Sequence, residues 1–159
     1  MKKLLLTALI AISPMTFAKD FNADLLIGEW QCKSESSFDN SATHYTQTAK
    51  QRFYKNGTYT SEDLIYNQNL DETIKSKGKG NWYIKDNILN MNTEDILTLT
   101  TDKPFYTNTN DLKESLMNDH KFSQFILKEF SKDKFVVTLS EQAQQDAQGN
   151  TIDTCQRIK

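Results

Sequence analysis

Three features of the 159-residue sequence predict a mostly-β fold, an antiparallel up-and-down barrel of eight to nine strands with one short helix at about residues 110–120. Apolar and polar residues alternate with a period of two along most of the chain. Turn signals, Asn56-Gly57 and Asp86-Asn87 foremost, break that alternation at short intervals. Two cysteines, Cys32 and Cys155, sit near the two ends of the domain, where a barrel brings its first and last strands together.

The chain starts with an export pattern. Lys2 and Lys3 precede the apolar residues 4–12, Pro14 breaks the run, and Thr16-Phe17-Ala18 offers small residues at −3 and −1 of a cleavage point. This predicts a bacterial Sec-type signal peptide over residues 1–18 and a single β-barrel domain over 19–159, periplasmic or secreted. The apolar run is shorter than the roughly 20 residues of a bilayer span, and no later segment is apolar enough to cross as a helix. Loss of Lys2 and Lys3 takes the formal charge from −2 to about −4. A mildly acidic chain with scattered charge argues against nucleic acid and anionic membranes as partners.

The elements follow in order. Leu26, Gly28, Trp30 and Cys32 share one face of a first strand, and Glu29, Gln31 and Lys33 the other. A second strand, Tyr45 to Tyr54, meets a third, 58–66, through Asn56-Gly57. Those two residues tolerate the positive φ angles of a type I′ turn, with Tyr54 opposite Tyr59. Residues 73–76 read as a short strand ended by a bulge at Gly78 and Gly80. The hairpin around Asp86-Asn87 places Trp82, Ile84, Leu89 and Met91 on one face, and 96–101 continues it. Asn110 is the expected N-cap of the helix, whose stripe is Leu112, Leu116 and Met117. Residues 122–130 and 134–140 form another pair, and 151–159 the closing strand.

Outside the cytoplasm, two cysteines read as one disulfide, Cys32–Cys155. The alternative, separate thiols or a metal site, lacks His or Cys partners at ligand spacing. If the cross-linked strands are antiparallel neighbours, Trp30 faces Arg157 and Gly28 faces Lys159. The guanidinium then lies over the indole ring, a cation–π contact.

Gly28-Glu29-Trp30 opening the first strand, with Arg157 near the end of the last, resembles the lipocalin and wider calycin barrels, and in particular small bacterial lipocalin-like domains. Asn56-Gly57-Thr58-Tyr59 and Gly80-Asn81-Trp82-Tyr83-Ile84 look similar too. The resemblance implies a closed barrel whose base tryptophan packs under an arginine of the terminal strand. Two features depart from it: no T-D-Y-type second motif is present, and the helix precedes the last three strands. Trp30-Gln31-Cys32 with a late cysteine is also similar to the periplasmic lysozyme inhibitors. No ligand residue carries over from either family.

No catalytic constellation is legible. His44 and His120 have no partner at metal-ligand spacing, and there is no Gly-x-Ser-x-Gly elbow or Gly-rich phosphate loop. The acidic pairs Glu62/Asp63, Asp71/Glu72 and Glu94/Asp95 read as solvated charges whose members point to opposite faces of a strand. The expectation is therefore a protein that is not an enzyme, with no cofactor and no metal.

Tyr45, Phe53, Tyr59, Trp82, Phe125 and Phe135 are expected to fill the barrel or line a ligand pocket within it. Large residues favour a plugged interior, whereas Ala49 and Gln51 leave room. Two functions stay open. One is binding of a small apolar or amphipathic ligand, with the connections 34–43 and 101–121 as a lid. The other is binding of a secreted or periplasmic protein, as an inhibitor or immunity protein would, through Tyr66, Phe105 and Tyr106.

Overall fold

The computed structural model describes residues 21–38, 45–103, 108–119, 121–141 and 149–159. The expected leader, His44, His120, Phe105 and Tyr106 lie outside them, as does the side chain of Tyr45. After a single turn of 3-10 helix at Ala23–Leu26 come β1 (Gly28–Phe38), β2 (Tyr45–Phe53), β3 (Thr58–Asn67), β4 (Glu72–Lys85), β5 (Ile88–Thr101), α1 (Thr109–Asp119), β6 (Phe122–Phe130), β7 (Lys134–Leu139) and β8 (Gly149–Arg157). Each strand pairs antiparallel with the next and β8 returns to β1, so the sheet is a closed barrel. Among the described residues no helix is long and apolar enough to cross a membrane.

The strands number eight because Gly78 and Gly80 do not end β4. They sit inside it, where the register against β5 shifts at Lys77/Gly78 and Lys79/Gly80. The irregularity falls on β5, which leaves Glu94 and Leu97 out of the ladder. At its start the barrel differs from expectation in two ways. Leu26 belongs to the 3-10 turn, and residues 34–38 prolong β1 where a connection was expected.

The turns explain the registers. Asp86 and Asn87 have φ of 52° and 62°, the two left-handed residues of a type I′ turn. At the β2–β3 connection only Gly57 is left-handed, with φ 80°. The Gly57 N–H donates to the Tyr54 carbonyl at 3.1 Å and the Tyr54 N–H to the Thr58 carbonyl at 2.9 Å. That is a three-residue loop closed by a left-handed glycine, not a type I′ turn. It places Phe53 rather than Tyr54 opposite Tyr59. At α1 the Asn108 side chain accepts from the Asn110 N–H at 3.0 Å. Its carbonyl accepts from the Leu112 N–H at 2.9 Å. Asn108 is thus the cap, two residues before the one expected.

The hairpins β2–β3, β4–β5 and β6–β7 mark the lower end of the barrel, and the core sits there. Trp30, Phe53 and Phe135 are almost fully buried, with Tyr59, Trp82, Leu89, Met91, Leu127 and Val137 packed among them. The rings meet edge to face, Trp30 on Phe135 at 4.8 Å and Phe53 on Trp82 at 5.5 Å. The 3-10 turn stoppers this end: Leu26 is buried and its carbonyl accepts from Trp30 Nε1 at 2.7 Å. Towards the upper end the wall changes. β6 pairs with β5 only over Ile88–Asn92. Beyond that α1 packs on β5, with Lys113 Nζ 3.3 Å from Asp95.

Candidate functional site

Side chains of a strand alternate between faces, so the buried anchors of each strand identify which positions point inward. Beyond the large core side chains of each strand the inward positions are Ser34 on β1, Gln47, Ala49 and Gln51 on β2 (Ala49 opposite Cys32 and Gln51 opposite Trp30), and Ser61, Asp63 and Ile65 on β3. Ile74, Ser76 and Gly78 follow on β4, Ile96 and Leu99 on β5, and Thr151 and Asp153 on β8. Most are small or polar. Gln47, Gln51, Ser61, Asp63, Ile65, Ser76, Leu99, Thr151 and Asp153 stay only half-buried although they face the inside of a closed wall. An inward side chain in a barrel retains exposure where space remains inside or where the wall stands open, so the upper half is less tightly filled than the packed lower half. Ile74 and Ile96 are buried yet stand apart from the lower core. The chamber is amphipathic: apolar along the upper parts of β3–β5, polar along β8, β1 and β2.

The disulfide lies at the floor of this chamber. Cys32 and Cys155 face each other in register and are bonded, with Cα atoms 4.0 Å apart. Below them Arg157 is opposite Trp30, its guanidinium carbon 4.2 Å from the indole centroid. Its Nη1 donates to the Ile27 carbonyl at 2.8 Å, and its other nitrogens donate to the carbonyls of Leu25 and Lys132. Gly28 has φ 129°, and a Cβ there would overlap Arg157 Nη1. Gly28, Trp30 and Arg157 therefore act together as the latch of the closed end.

Of the aromatics expected inside, Phe53, Tyr59, Trp82 and Phe135 belong to the packed lower core and Phe125 packs partly buried against it. They form the base beneath the chamber. Tyr59 reaches furthest towards polar surroundings: its hydroxyl is 2.9 Å from Thr93 Oγ1, and burial holds its pKa above the ordinary tyrosine value.

Apart from Gln51, which the alternation had already turned inward, the polar residues of the chamber were missed in the sequence because each looks like a surface residue. Asp153 is the most unusual. Ser34, its partner across the β1–β8 ladder, hydrogen-bonds to it. Its Oδ1 is buried and receives no hydrogen bond from any described group. Burial raises its pKa, and the negative charge of Asp63 pushes it the same way. Asp63 itself accepts from Gln47 Nε2 at 3.0 Å. Counting by twos from Cys155 and Cys32 puts Asp153 and Ser34 on the inward face, which was the available signal. Among the other acidic pairs, Asp71 accepts from the Tyr66 hydroxyl and from Lys103, which holds its carboxyl low. No group of three or more metal-ligating side chains forms among the described residues.

A second concavity lies outside the wall. This groove of about 390 Å³ is bordered by Lys50, Glu62, Leu64, Lys75 and Lys77. Lys77 pairs with Glu62 at 2.8 Å and Lys50 with Glu29 at 3.3 Å, so much of its charge is matched internally.

The fold and site define a closed, eight-stranded, antiparallel up-and-down β-barrel with a latched base. No family model matches the chain, and no curated protein matches it. Among solved structures it is similar to a de novo designed fluorescence-activating β-barrel, with 10% identity over 86% of this chain and 96% of that one and a TM-score of 0.43. It is also similar to EF1p2_mFAP2b bound to DFHBI, with 14% identity, the same coverage and the same TM-score. Likeness at this level carries no argument about architecture, ligand or role; the closed barrel rests on the strand pairing itself.

Proposed function

We propose that this chain is an exported, non-catalytic, lipocalin-type protein that binds one small amphipathic molecule in the upper half of its barrel. The observation that carries the reading is the contrast within one closed wall, a base packed with large side chains and a chamber above it lined by small, half-exposed ones. A loosely filled barrel mouth of this kind, with an apolar side and a few polar groups, suits a ligand of modest size. The lipocalin assignment draws on the latch of Gly28, Trp30 and Arg157. Export draws on the signal-like residues 1–18 and is supported by the disulfide, which persists in oxidising compartments.

Native mass spectrometry of the mature protein, isolated gently from its own host's envelope, tests this. The expected result is cleavage after Ala18 and a reproducible adduct of small-molecule mass, released by organic solvent. A bare monomer that also takes up no amphiphile in solution overturns it. A stoichiometric protein adduct would favour the second reading, an inhibitor or immunity module. The outer face gives that reading its own support: Leu64 and Tyr66 on β3 and Leu97 on β5 are exposed near the external groove.

A further inference from the structure

We propose that the outer face of β2–β5 is a docking surface for an acidic, extended segment of a partner protein, whose carboxylates at alternate positions meet a ladder of lysines on β4. The inference goes beyond the barrel mouth and stands whether or not the mouth holds a ligand.

Lys75, Lys77 and Lys79 occupy every second position of β4, so they share one face of the strand at a pitch of about 6.5–7 Å. That face is the outer one, because Ile74 and Trp82, of the other parity, are buried. Strand pairing sets Leu64, Glu62 and Thr60 of β3 beside the three lysines in turn, and Thr100 and Thr98 of β5 on the far side of the first two. One strand further on, Lys50 lies opposite Glu62 and Arg52 opposite Thr60. The external groove of about 390 Å³ spans this lattice, from Gln31 on β1 to Thr100 on β5.

Charge that is scattered along the sequence is gathered here in space. Lys33, Lys50, Arg52, Lys75, Lys77 and Lys79 stand on the outer face, and the carboxylates among them are Glu29 and Glu62. Lys50 and Arg52 share Glu29, each at 3.3 Å, and Lys77 pairs with Glu62 at 2.8 Å. Lys75 and Lys79 make no ion pair or hydrogen bond among the described residues. Asp95, across the ladder from Lys79, is held by Lys113 of α1 at 3.3 Å. Glu35 and Glu94 occupy positions at the margins, and with them counted the cations still outnumber the carboxylates. Asp63 also borders the groove, but its carboxylate turns inward to Gln47 Nε2.

An extended segment presents alternate side chains to one side at the pitch of β4 itself, so carboxylates at alternate positions meet the lysines without strain. Exposed ion pairs are weak, so Glu62 yields Lys77 readily. Leu64 and Tyr66, exposed on β3, give the segment an apolar margin. The formal charge of −2 repels long polyanions and anionic bilayers, whereas a short segment feels mainly the local patch.

The test is fluorescence anisotropy at low ionic strength with the mature, oxidised protein and two labelled peptides of about ten residues. One alternates Glu and Thr, and the other carries the same residues as a block of Glu followed by a block of Thr. The alternating peptide is expected to bind at least about threefold more tightly, and to weaken as salt is raised. Lys75→Gln with Lys79→Gln should weaken it by about three- to tenfold. Glu62→Gln, which frees Lys77, should tighten it by about two- to threefold. Lys128→Gln with Lys132→Gln, exposed in β6 and the turn after it, should change it by less than about twofold. Equal binding of the two peptides, no binding, or no loss in the β4 variant at an unchanged urea midpoint overturns the inference. Tighter binding of a single-stranded oligonucleotide or of phosphatidylglycerol vesicles than of the alternating peptide overturns it too.

Discussion

Arg157 does work that no other single residue duplicates. Its planar fork reaches three backbone carbonyls, at Leu25, Ile27 and Lys132, and its face lies on Trp30, so one side chain joins the first turn, the base tryptophan and the β6–β7 hairpin. A lysine keeps the charge but offers neither fork nor stacking plane. Arg157→Lys should therefore lower stability by about 1–3 kcal/mol, read as a shift of the urea midpoint at constant slope. An unchanged midpoint would mean that the carbonyls find water equally well. Asp153 makes the opposite contribution. Its folded-state pKa lies above the ordinary aspartate value because burial disfavours the charge. The folded protein then binds the proton more tightly than the unfolded chain, so stability falls as pH rises from the unfolded pKa, about 4, to the raised folded one. Asp153→Asn removes that loss. The variant should be more stable than the parent at pH 7 and lose its advantage below about pH 4. Equal midpoints across that range would show a well-solvated carboxylate. Ser34 and Asp63 are the groups that face Asp153 here, the first favouring its charge and the second opposing it.

At the scale of elements, the turns separate what local chemistry can and cannot announce. Asp86 and Asn87 both adopt left-handed backbone in a two-residue turn, and Asn56-Gly57, the stronger hairpin signal, does not. Both connections were legible as hairpins. The difference in type, and the one-residue change of register that puts Phe53 opposite Tyr59, comes from packing: Phe53 is buried against Tyr59 and Trp82, whereas Tyr54 stays exposed. Period-two alternation fixes which face of a strand is inward only once one buried anchor is known, and a bulge shifts it again. That is why the paired irregularities of β5 and the continuous β4 were read as a strand end at Gly78 and Gly80. The two turns also predict different mutational costs. Gly57→Ala puts a Cβ on a residue at φ 80° and should cost about 1–2 kcal/mol in chemical denaturation. Asn87→Gly relieves a left-handed side-chain residue and should stay within about 0.5–1 kcal/mol of the parent. If Gly57→Ala proves neutral, the loop tolerates another geometry and the register does not depend on it.

For the whole molecule, the closure of the barrel was legible because the cysteines, the strand count and the turn spacing agree with one another. The division of its interior was not. Alternation says which residues face inward but not how much space eight strands enclose, and the polar lining of the upper half resembles a solvent face in every local respect. The disulfide matters most in such a molecule. A barrel packed only at its base buries less apolar surface than its chain length suggests, and the hydrophobic term shrinks accordingly. The bond joins residues 123 apart in sequence and constrains nearly the whole unfolded chain, which the chain-entropy model values at about 4–5 kcal/mol. Domains of this kind are stable by about 5–15 kcal/mol in all, so the bond supplies a large share. Reduction, or the double replacement Cys32→Ala and Cys155→Ala, should lower the unfolding free energy by about 3–5 kcal/mol. Urea titrations with and without reductant measure it. The barrel should still form, because the latch of Arg157 and the β1–β8 ladder hold the same two strands without the sulfurs. A loss below about 1 kcal/mol would mean that the unfolded chain is already compact, and complete unfolding on reduction would mean that the packed base cannot hold the closed sheet alone.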